Sequence, residues 1–240
     1  MYSELAGATV ILTREAGANA ALAARMRRRF AEVIELPCVR VDAVADTRPL
    51  RDALASMRAD DWLVVTSRHG ADAVARCGPT RAAVAAIGDA TAERLREHGL
   101  SVDFQPTVAT GERLARELPE RGGIALLARS DRALADLPEI LRERGFTVRE
   151  VVAYHTVAEA HGDVAAVRAL LTSSPEAVVV MFYSPSAVAG MLGAIEAPLL
   201  ARAAIRVVGR ATMRAVRDAL GVDADVSLIE EEEAAHVAHR

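Results

Sequence analysis

Hydroxyl side chains and glycines recur at four points where an aliphatic run gives way to a helical pattern. The four points are Thr66-Ser67, Gly88-Asp89-Ala90-Thr91, Tyr183-Ser184 and Gly209-Arg210-Ala211-Thr212. Ligands of open α/β sheets bind outside the carboxyl ends of the strands, and N–H groups at a helix N-terminus bind anions without any net positive charge. These points therefore predict an anion-binding site, although each hydroxyl is also explained as an ordinary helix cap.

Two arginines and a tyrosine have side chains that suit such a site. Arg14 and Arg129 each follow the first strand of a repeated segment, where a guanidinium forms either a salt bridge or a bidentate clamp on a carboxylate. Tyr154 lies within the aliphatic run 151–157. Its hydroxyl either bonds to backbone at a hinge or acts as a weak general acid, because a phenol with a pKa of about 10 stays protonated at neutral pH.

Metal and covalent chemistry have little support in the sequence. Cys38 and Cys77 are the only cysteines, and they lack the short spacing of a metal site. His236 and His239 lie one helical turn apart but have no third ligand in view. All 29 basic residues are arginines, which excludes a phosphate-loop lysine and a Schiff-base lysine.

Bulk composition, with 52% hydrophobic and 26% charged residues, is that of a globular protein. The 240 residues are enough for two units of about 100–150 residues, each with its own core. Aromatic residues make up 3% of the chain and the net charge is −4, so neither nucleic acid nor an anionic membrane surface is an expected partner. No run reaches membrane-spanning length and no signal segment is recognisable, which favours a soluble cytoplasmic protein.

The elements that position these side chains come from an internal duplication. The matched segments are 7–14 with 122–129, 62–67 with 178–184, and 83–95 with 204–216. Continuous aliphatic runs alternate with helical patterns in both copies, which predicts parallel sheets covered by helices on both faces. The repeat alone places the lobe boundary near Gly122, but it equally allows each lobe to take its first strand–helix unit from the other copy.

The remaining patterns predict the other elements. Strands are expected at 33–41, 102–105, 151–157 and 225–228. Helices are expected at 19–30, 50–57, 112–118, 132–144, 164–171, 185–192 and 230–238. We expect the strands at 33–41 and 151–157 to cross side by side between two lobes, with Tyr154 facing the cleft.

Taken together, these residues resemble the uroporphyrinogen-III synthase family over nearly the whole chain. The resemblance rests on the order and spacing of short motifs, each weak by itself. The motifs are Thr66-Ser67, Tyr154-His155-Thr156-Val157, Tyr183-Ser184-Pro185-Ser186-Ala187-Val188, and the Gly-x-x-Thr turns that end in Thr91 and Thr212.

The resemblance implies an α/β fold of two similar lobes, each a parallel sheet flanked by helices, joined by a two-stranded antiparallel linker. One lobe would be discontinuous and hold 1–36 with 157–240. The other would hold 41–152, and the linker strands would be 37–40 and 153–156. The family's arrangement therefore favours exchange of strand–helix units over a boundary near Gly122.

The resemblance also implies an activity, a lyase step in heme biosynthesis. The substrate would be hydroxymethylbilane, a linear tetrapyrrole with many carboxylates, which is cyclised with inversion of its last pyrrole ring. No metal or organic cofactor would take part, and the protein would be a monomer that makes at most transient contact with neighbouring pathway enzymes. By motif, Tyr154 would be the catalytic acid. Substrate contacts would come from Thr66, Ser67, Thr91, Ser184, Ser186 and Thr212, with Arg14 and Arg129 as candidate carboxylate clamps.

Two departures from the family pattern keep alternatives open. Arg210-Ala211 replaces a more usual Pro-Thr, and Asp89 places an acid where a polyanion would approach. Each marks either an altered affinity or a lobe that has lost catalysis. Lost catalysis fits the alternative of a non-catalytic ligand-sensing module on the same scaffold, which an attached DNA-binding segment would favour. A third alternative is a bilobal binding protein of the periplasmic type, against which the lack of a recognisable signal segment argues.

Overall fold

The computed structural model of the chain describes residues 7–28 and 30–229. The helix predicted at 230–238, and with it the pair His236 and His239, lies outside the described residues. Two compact units divide the chain: unit 1 is Met1–Arg40 with Val157–Arg240, and unit 2 is Val41–Thr156. The chain therefore passes from one unit to the other twice, and the units do not divide near Gly122.

Ten strands and ten α-helices occur in the part of the chain that the structure describes. The strands are β1 (Thr9–Leu12), β2 (Glu32–Glu35), β3 (Val39–Ala43), β4 (Trp62–Val65), β5 (Ala83–Ala86), β6 (Ile124–Ser130), β7 (Thr147–Ala158), β8 (Val178–Phe182), β9 (Ala204–Val208) and β10 (Val226–Ile229). The helices are α1 (Ala20–Met26), α2 (Arg48–Ala55), α3 (Arg68–Cys77), α4 (Asp89–Glu97), α5 (Gly111–Glu117), α6 (Asp136–Glu143), α7 (Val164–Ser173), α8 (Pro185–Leu192), α9 (Ala197–Leu200) and α10 (Arg210–Leu220).

The sheet of unit 1 has the order β10-β9-β8-β1-β2, and all of its strand pairs are parallel. Val10 of the central strand β1 pairs with Val33 on one side and Val179 on the other. The sheet thus combines β1 and β2 from the first copy of the repeat with β8 to β10 from the second. Every residue of β1 and β8 is buried, as expected for strands covered on both faces.

The sheet of unit 2 has the order β3-β7-β6-β4-β5, with parallel pairing from β7 to β5. It combines β4 and β5 from the first copy with β6 and β7 from the second, so the two copies exchange their first strand–helix units. The predicted strand at 102–105 is reduced to a single bridge between Phe104 and Ala85.

Helices cover both faces of each sheet. In unit 2, Leu63 and Val65 of β4 pack with α2, α3 and α4, whereas Trp62 and Val64 pack with α5 and α6. Alternate residues of β8 divide in the same way between α7, α8 and α10 on one face and α1 on the other. The prediction of parallel sheets flanked by helices is confirmed.

Gly190 allows α8 to lie directly on the backbone of the segment that leads into β3. A Cβ at this position would overlap the carbonyl oxygen of Cys38 and would stand 2.9 Å from the backbone nitrogen of Glu159. That carbonyl oxygen also accepts a hydrogen bond from the Glu159 N–H at 3.1 Å. The close approach therefore requires a residue without a side chain.

Candidate functional site

The carboxyl end of β4 in unit 2 brings Ser67 to Tyr154. The chain turns after Val65, and Ser67 has the extended backbone of a helix N-cap before α3. Its Oγ accepts a hydrogen bond from the Gly70 N–H at 3.0 Å and donates one to the Tyr154 hydroxyl at 2.9 Å. Thr66 beside it is partly buried. Two of the predicted site residues are thus in direct contact.

Tyr154 is held mainly by the core of unit 2. Its ring belongs to the cluster that packs α2, α3 and α4 against the sheet, and the residue is 9% exposed. The pairing of β6 with β7 shifts register just before Ser130, which pairs with Tyr154 after Arg129 has paired with Val152. Both Ala153 and Tyr154 consequently belong to the same core cluster. The centre of the His69 ring lies 5.6 Å from the centre of the Tyr154 ring.

A second polar network occupies the ends of β6 and β7. The hydroxyls of Ser130 and Thr156 are 2.7 Å apart, and Asp131 accepts hydrogen bonds from Ser130 at 3.0 Å and from the Thr156 N–H at 2.9 Å. His155 Nδ1 lies 3.0 Å from the same carboxylate. Burial raises the pKa of Asp131, but the hydrogen bonds from His155, Thr156 and Ser130 outweigh it and hold that pKa below its usual value.

The sequence analysis does not predict this network, because His155 and Thr156 enter it only as members of the motif at 154–157. The available signal was Ser130-Asp131, a polar pair directly after a buried strand, which is the same pattern that identified the other strand ends.

The two threonines of the Gly-x-x-Thr turns are placed differently from the prediction. Thr91 is 5% exposed and Thr212 is 2% exposed, so their hydroxyls do not point outward. Each is the third residue of its helix, α4 or α10, and faces inward while Gly88 or Gly209 forms the preceding turn. What these turns present is the helix N-terminus itself rather than a hydroxyl.

In unit 1 the carboxyl end of β8 carries Ser184 and Ser186, both partly buried. Ser184 is the N-cap of α8, and its Oγ accepts a hydrogen bond from the Ala187 N–H at 3.2 Å. Ser184 is therefore an ordinary helix cap. Ser186, in the first turn of α8, carries the second hydroxyl at this strand end.

The two arginines of the repeat have different environments. Arg129 is 6% exposed, lies 3.4 Å from a carboxylate oxygen of Glu150 and bonds the carbonyl oxygen of Leu134. Its burial lowers the pKa of the guanidinium despite Glu150. The salt-bridge alternative is thus what the structure shows for Arg129. Arg14 is partly buried, with its guanidinium carbon 5.2 Å from the centre of the Tyr183 ring.

The cysteines and acidic residues do not form an additional centre. Burial raises the pKa of the Cys38 thiol to about 12, and burial also raises the pKa of Cys77, so neither is a thiolate at neutral pH. Within residues 7–28 and 30–229, no group of three or more His, Cys, Asp and Glu side chains is arranged to hold a metal ion. No helix in this same part of the chain has the length and apolarity needed to cross a membrane.

Comparison with known proteins gives matches over most of the chain. The model of the family described as uroporphyrinogen-III synthase HemD matches residues 20–237. The uroporphyrinogen-III synthase of Synechococcus elongatus is 29% identical over 163 residues, which are 63% of this chain and 62% of that protein. The chloroplastic uroporphyrinogen-III synthase of Oryza sativa subsp. japonica is 30% identical over 197 residues, which are 76% of this chain and 63% of that protein.

The matched segments therefore span less than two thirds of each of these relatives. Among solved structures, a mutant uroporphyrinogen III synthase of Thermus thermophilus superimposes with a TM-score of 0.63 at 21% identity and covers 96% of both chains. At 21% identity, this superposition shows that the two proteins share a fold and shows nothing further.

Proposed function

Because the chain belongs to the uroporphyrinogen-III synthase family, we propose that it has the activity of that family and cyclises hydroxymethylbilane to the type III isomer. The match over residues 20–237 is the observation that carries this proposal. The matched polar strand ends in the two units support it, because a ligand with many carboxylates needs several anion-binding points.

The reaction depends more on the conformation in which the substrate is held than on a strong nucleophile. Protonation of the leaving hydroxyl breaks its C–O bond, releases water and leaves an azafulvenium ion, which becomes the neutral azafulvene when the pyrrole N–H gives up its proton. The last pyrrole ring is then attacked at its substituted carbon to give a spiro intermediate, which reopens and closes with that ring inverted. Closure without the protein gives the symmetric type I isomer, so the protein must hold the chain bent before the bond forms.

We assign the acid role to Tyr154. A phenol stays protonated at neutral pH and can donate its proton to a leaving hydroxide. Its hydrogen bond to Ser67 places the hydroxyl at a strand end, next to the N-terminus of α3. The substrate must reach this hydroxyl although the residue as a whole is largely buried.

Carboxylate binding is assigned to helix N-termini and to Arg14. The N-termini of α3, α4, α8 and α10 follow strand ends and offer backbone N–H groups. Thr66 and Ser186 add hydroxyls, whereas Thr91 and Thr212 contribute only by packing beneath the turns that precede them. Arg14 supplies a guanidinium, and Arg129 is left out because it is buried and its guanidinium already contacts Glu150 and the Leu134 carbonyl oxygen.

We further propose that 37–40 and 153–156 form a two-stranded antiparallel linker. β3 and β7 are neighbours in one sheet. The backbone bonds from Glu159 N–H to Cys38 C=O and from His161 N–H to Pro37 C=O support opposite chain directions, because the residue number rises on one side as it falls on the other.

The test is an assay of the purified protein with freshly made hydroxymethylbilane, followed by separation of the two isomers. We expect type III to be the main product. Formation of type I alone, at the spontaneous rate, would overturn the proposal.

A further inference from the structure

The Ser67 hydroxyl takes part in two hydrogen bonds, one as acceptor and one as donor. The Oγ accepts the Gly70 N–H at 3.0 Å, which satisfies one of the first N–H groups of α3. The single hydroxyl proton is directed to the oxygen of Tyr154 at 2.9 Å. Because its proton is donated to Tyr154, the Ser67 hydroxyl is not available to donate a hydrogen bond to a substrate carboxylate.

The backbone around Ser67 fixes its position. A Cβ at Gly70 would stand 3.0 Å from the carbonyl oxygen of Ala128 and 3.3 Å from the Oγ of Ser67. The first turn of α3 therefore lies directly on β6. Because Tyr154 is held by β7, which pairs with β6, the serine and the phenol are set by the same part of the sheet.

We infer that Ser67 is a positioning residue that holds the Tyr154 phenol and stabilises the negative charge that develops on its oxygen when it gives up a proton. A hydrogen bond to the charged form of an acid favours ionisation, and bonds to charged groups are stronger than bonds between neutral groups. The inference rests on the proposed function for its catalytic consequence, but the effect of Ser67 on the ionisation of Tyr154 does not depend on it.

Two other ionisable side chains interact with Tyr154. The imidazole of His69 lies against the tyrosine ring, with the ring centres 5.6 Å apart. The guanidinium of Arg129 interacts electrostatically with Tyr154. Both remain unchanged when only Ser67 is substituted, so the comparison of Ser67→Ala with Ser67→Thr isolates the contribution of the hydroxyl.

The experiment labels the protein with 3-fluorotyrosine and follows ionisation by fluorine NMR. The chain has three tyrosines, and Tyr154→Phe identifies the resonance of Tyr154 by its disappearance. Ring fluorination lowers the pH range of phenol ionisation, so the titration is completed under milder conditions. The full-length protein is used throughout, and the readout requires no substrate.

Three substitutions of Ser67 separate capping from donation. Ser67→Ala removes both, and Ser67→Thr keeps both. Ser67→Asp keeps a good N-cap but replaces the donor with a carboxylate, whose negative charge also opposes ionisation of the phenol. Thr110→Ala is the matched control, because Thr110 caps α5 in the same unit by accepting the Arg113 N–H at 3.2 Å.

We expect Ser67→Ala and Ser67→Asp to raise the ionisation midpoint of Tyr154 by about one pH unit or more. Ser67→Thr should restore it, and Thr110→Ala should leave it unchanged. With hydroxymethylbilane, Ser67→Ala should lower kcat by about tenfold or less with little change in KM, and Ser67→Thr should recover kcat.

An unchanged midpoint in Ser67→Ala would overturn the inference, whatever the midpoint in Ser67→Asp. So would a rise in KM without a fall in kcat, because that result makes Ser67 a substrate contact. If the wild-type protein forms no type III isomer, the proposed function fails, while the midpoints still decide whether Ser67 supports the phenol.

Discussion

At the scale of single residues, Arg14 and Arg129 occupy matching places in the repeat but have different surroundings. Arg129 is buried beside Glu150, whereas the Arg14 guanidinium lies over the Tyr183 ring. Removing the buried Arg129 side chain takes away the donor that bonds the Leu134 carbonyl oxygen, while Glu150 keeps its ion pair with Arg142 at 2.8 Å. Removing Arg14 takes away the guanidinium to which the proposed function assigns carboxylate binding.

We therefore expect Arg129→Ala to lower the free energy of unfolding by about 2 kcal/mol, because it empties a buried position and removes the hydrogen bond to the Leu134 carbonyl oxygen. Arg14→Ala should raise KM for hydroxymethylbilane severalfold with a smaller change in stability. Denaturant unfolding and steady-state kinetics on the same two variants provide the measurement. A raised KM in Arg129→Ala with unchanged stability would reverse the assignment.

Tyr154→Phe tests the proposed acid with the loss of one oxygen. We expect kcat for the type III product to fall by about ten- to a hundredfold without being abolished, because the protein still bends the substrate. The phenylalanine ring keeps the packing of the core cluster, and circular dichroism should show an intact fold. An unchanged kcat would exclude the hydroxyl as the proton donor.

The hydroxyls at strand ends were predictable because they follow aliphatic runs at regular places. The burial of Thr91 and Thr212 was not, because the sequence does not tell which side of a first helical turn faces the sheet. The bond between Ser67 and Tyr154 joins residues 87 positions apart. No local pattern encodes such a contact.

At the scale of elements, α8 illustrates how one position controls packing. Gly190 faces the Cys38 carbonyl oxygen, whereas a Cβ at Gly193 in the same segment would make ordinary contacts, the nearest at 3.4 Å. Gly190→Ala should therefore destabilise the protein by about 3 kcal/mol, through displacement of the helix or of the segment at 37–38.

Gly193→Ala is the control. Its backbone has φ −68° and ψ −17°, which alanine adopts readily, so stability should stay the same or rise by up to about 1 kcal/mol. Thermal unfolding of the two variants measures the difference. Equal stabilities would show that α8 does not approach the backbone this closely.

Most strands were predictable because their aliphatic runs are continuous and buried. The start of α6 was not: the prediction began at residue 132, whereas the helix begins at Asp136. The Arg132 N–H instead donates to the Ser130 hydroxyl, and Asp131 accepts the Thr156 N–H. Polar side chains that bond across strands thus delay a helix that local propensity would begin earlier.

At the scale of the whole molecule, the exchange of strand–helix units has a direct consequence for fragments. The two core clusters of unit 2 are formed entirely by residues between Leu50 and Tyr154. A fragment of residues 39–158 contains these clusters and all five strands of the unit 2 sheet.

We expect the fragment 39–158 to unfold cooperatively and to give dispersed NMR spectra. The fragments 1–121 and 122–240, cut at the repeat boundary, should not, because each contains strands of both sheets and completes neither. Cooperative folding of both repeat-boundary fragments would contradict the exchanged arrangement. The duplication was visible in the sequence, but the pairing of strands between copies was not, since both arrangements have the same local patterns.

The central claim is that this protein directs the closure of hydroxymethylbilane, and the isomer ratio measures it most directly. Freshly made substrate is incubated with increasing amounts of the protein, and uroporphyrinogens III and I are separated and quantified. The proposed activity predicts that the type III fraction rises with protein concentration until type I almost disappears. A product that remains type I at every concentration would contradict it.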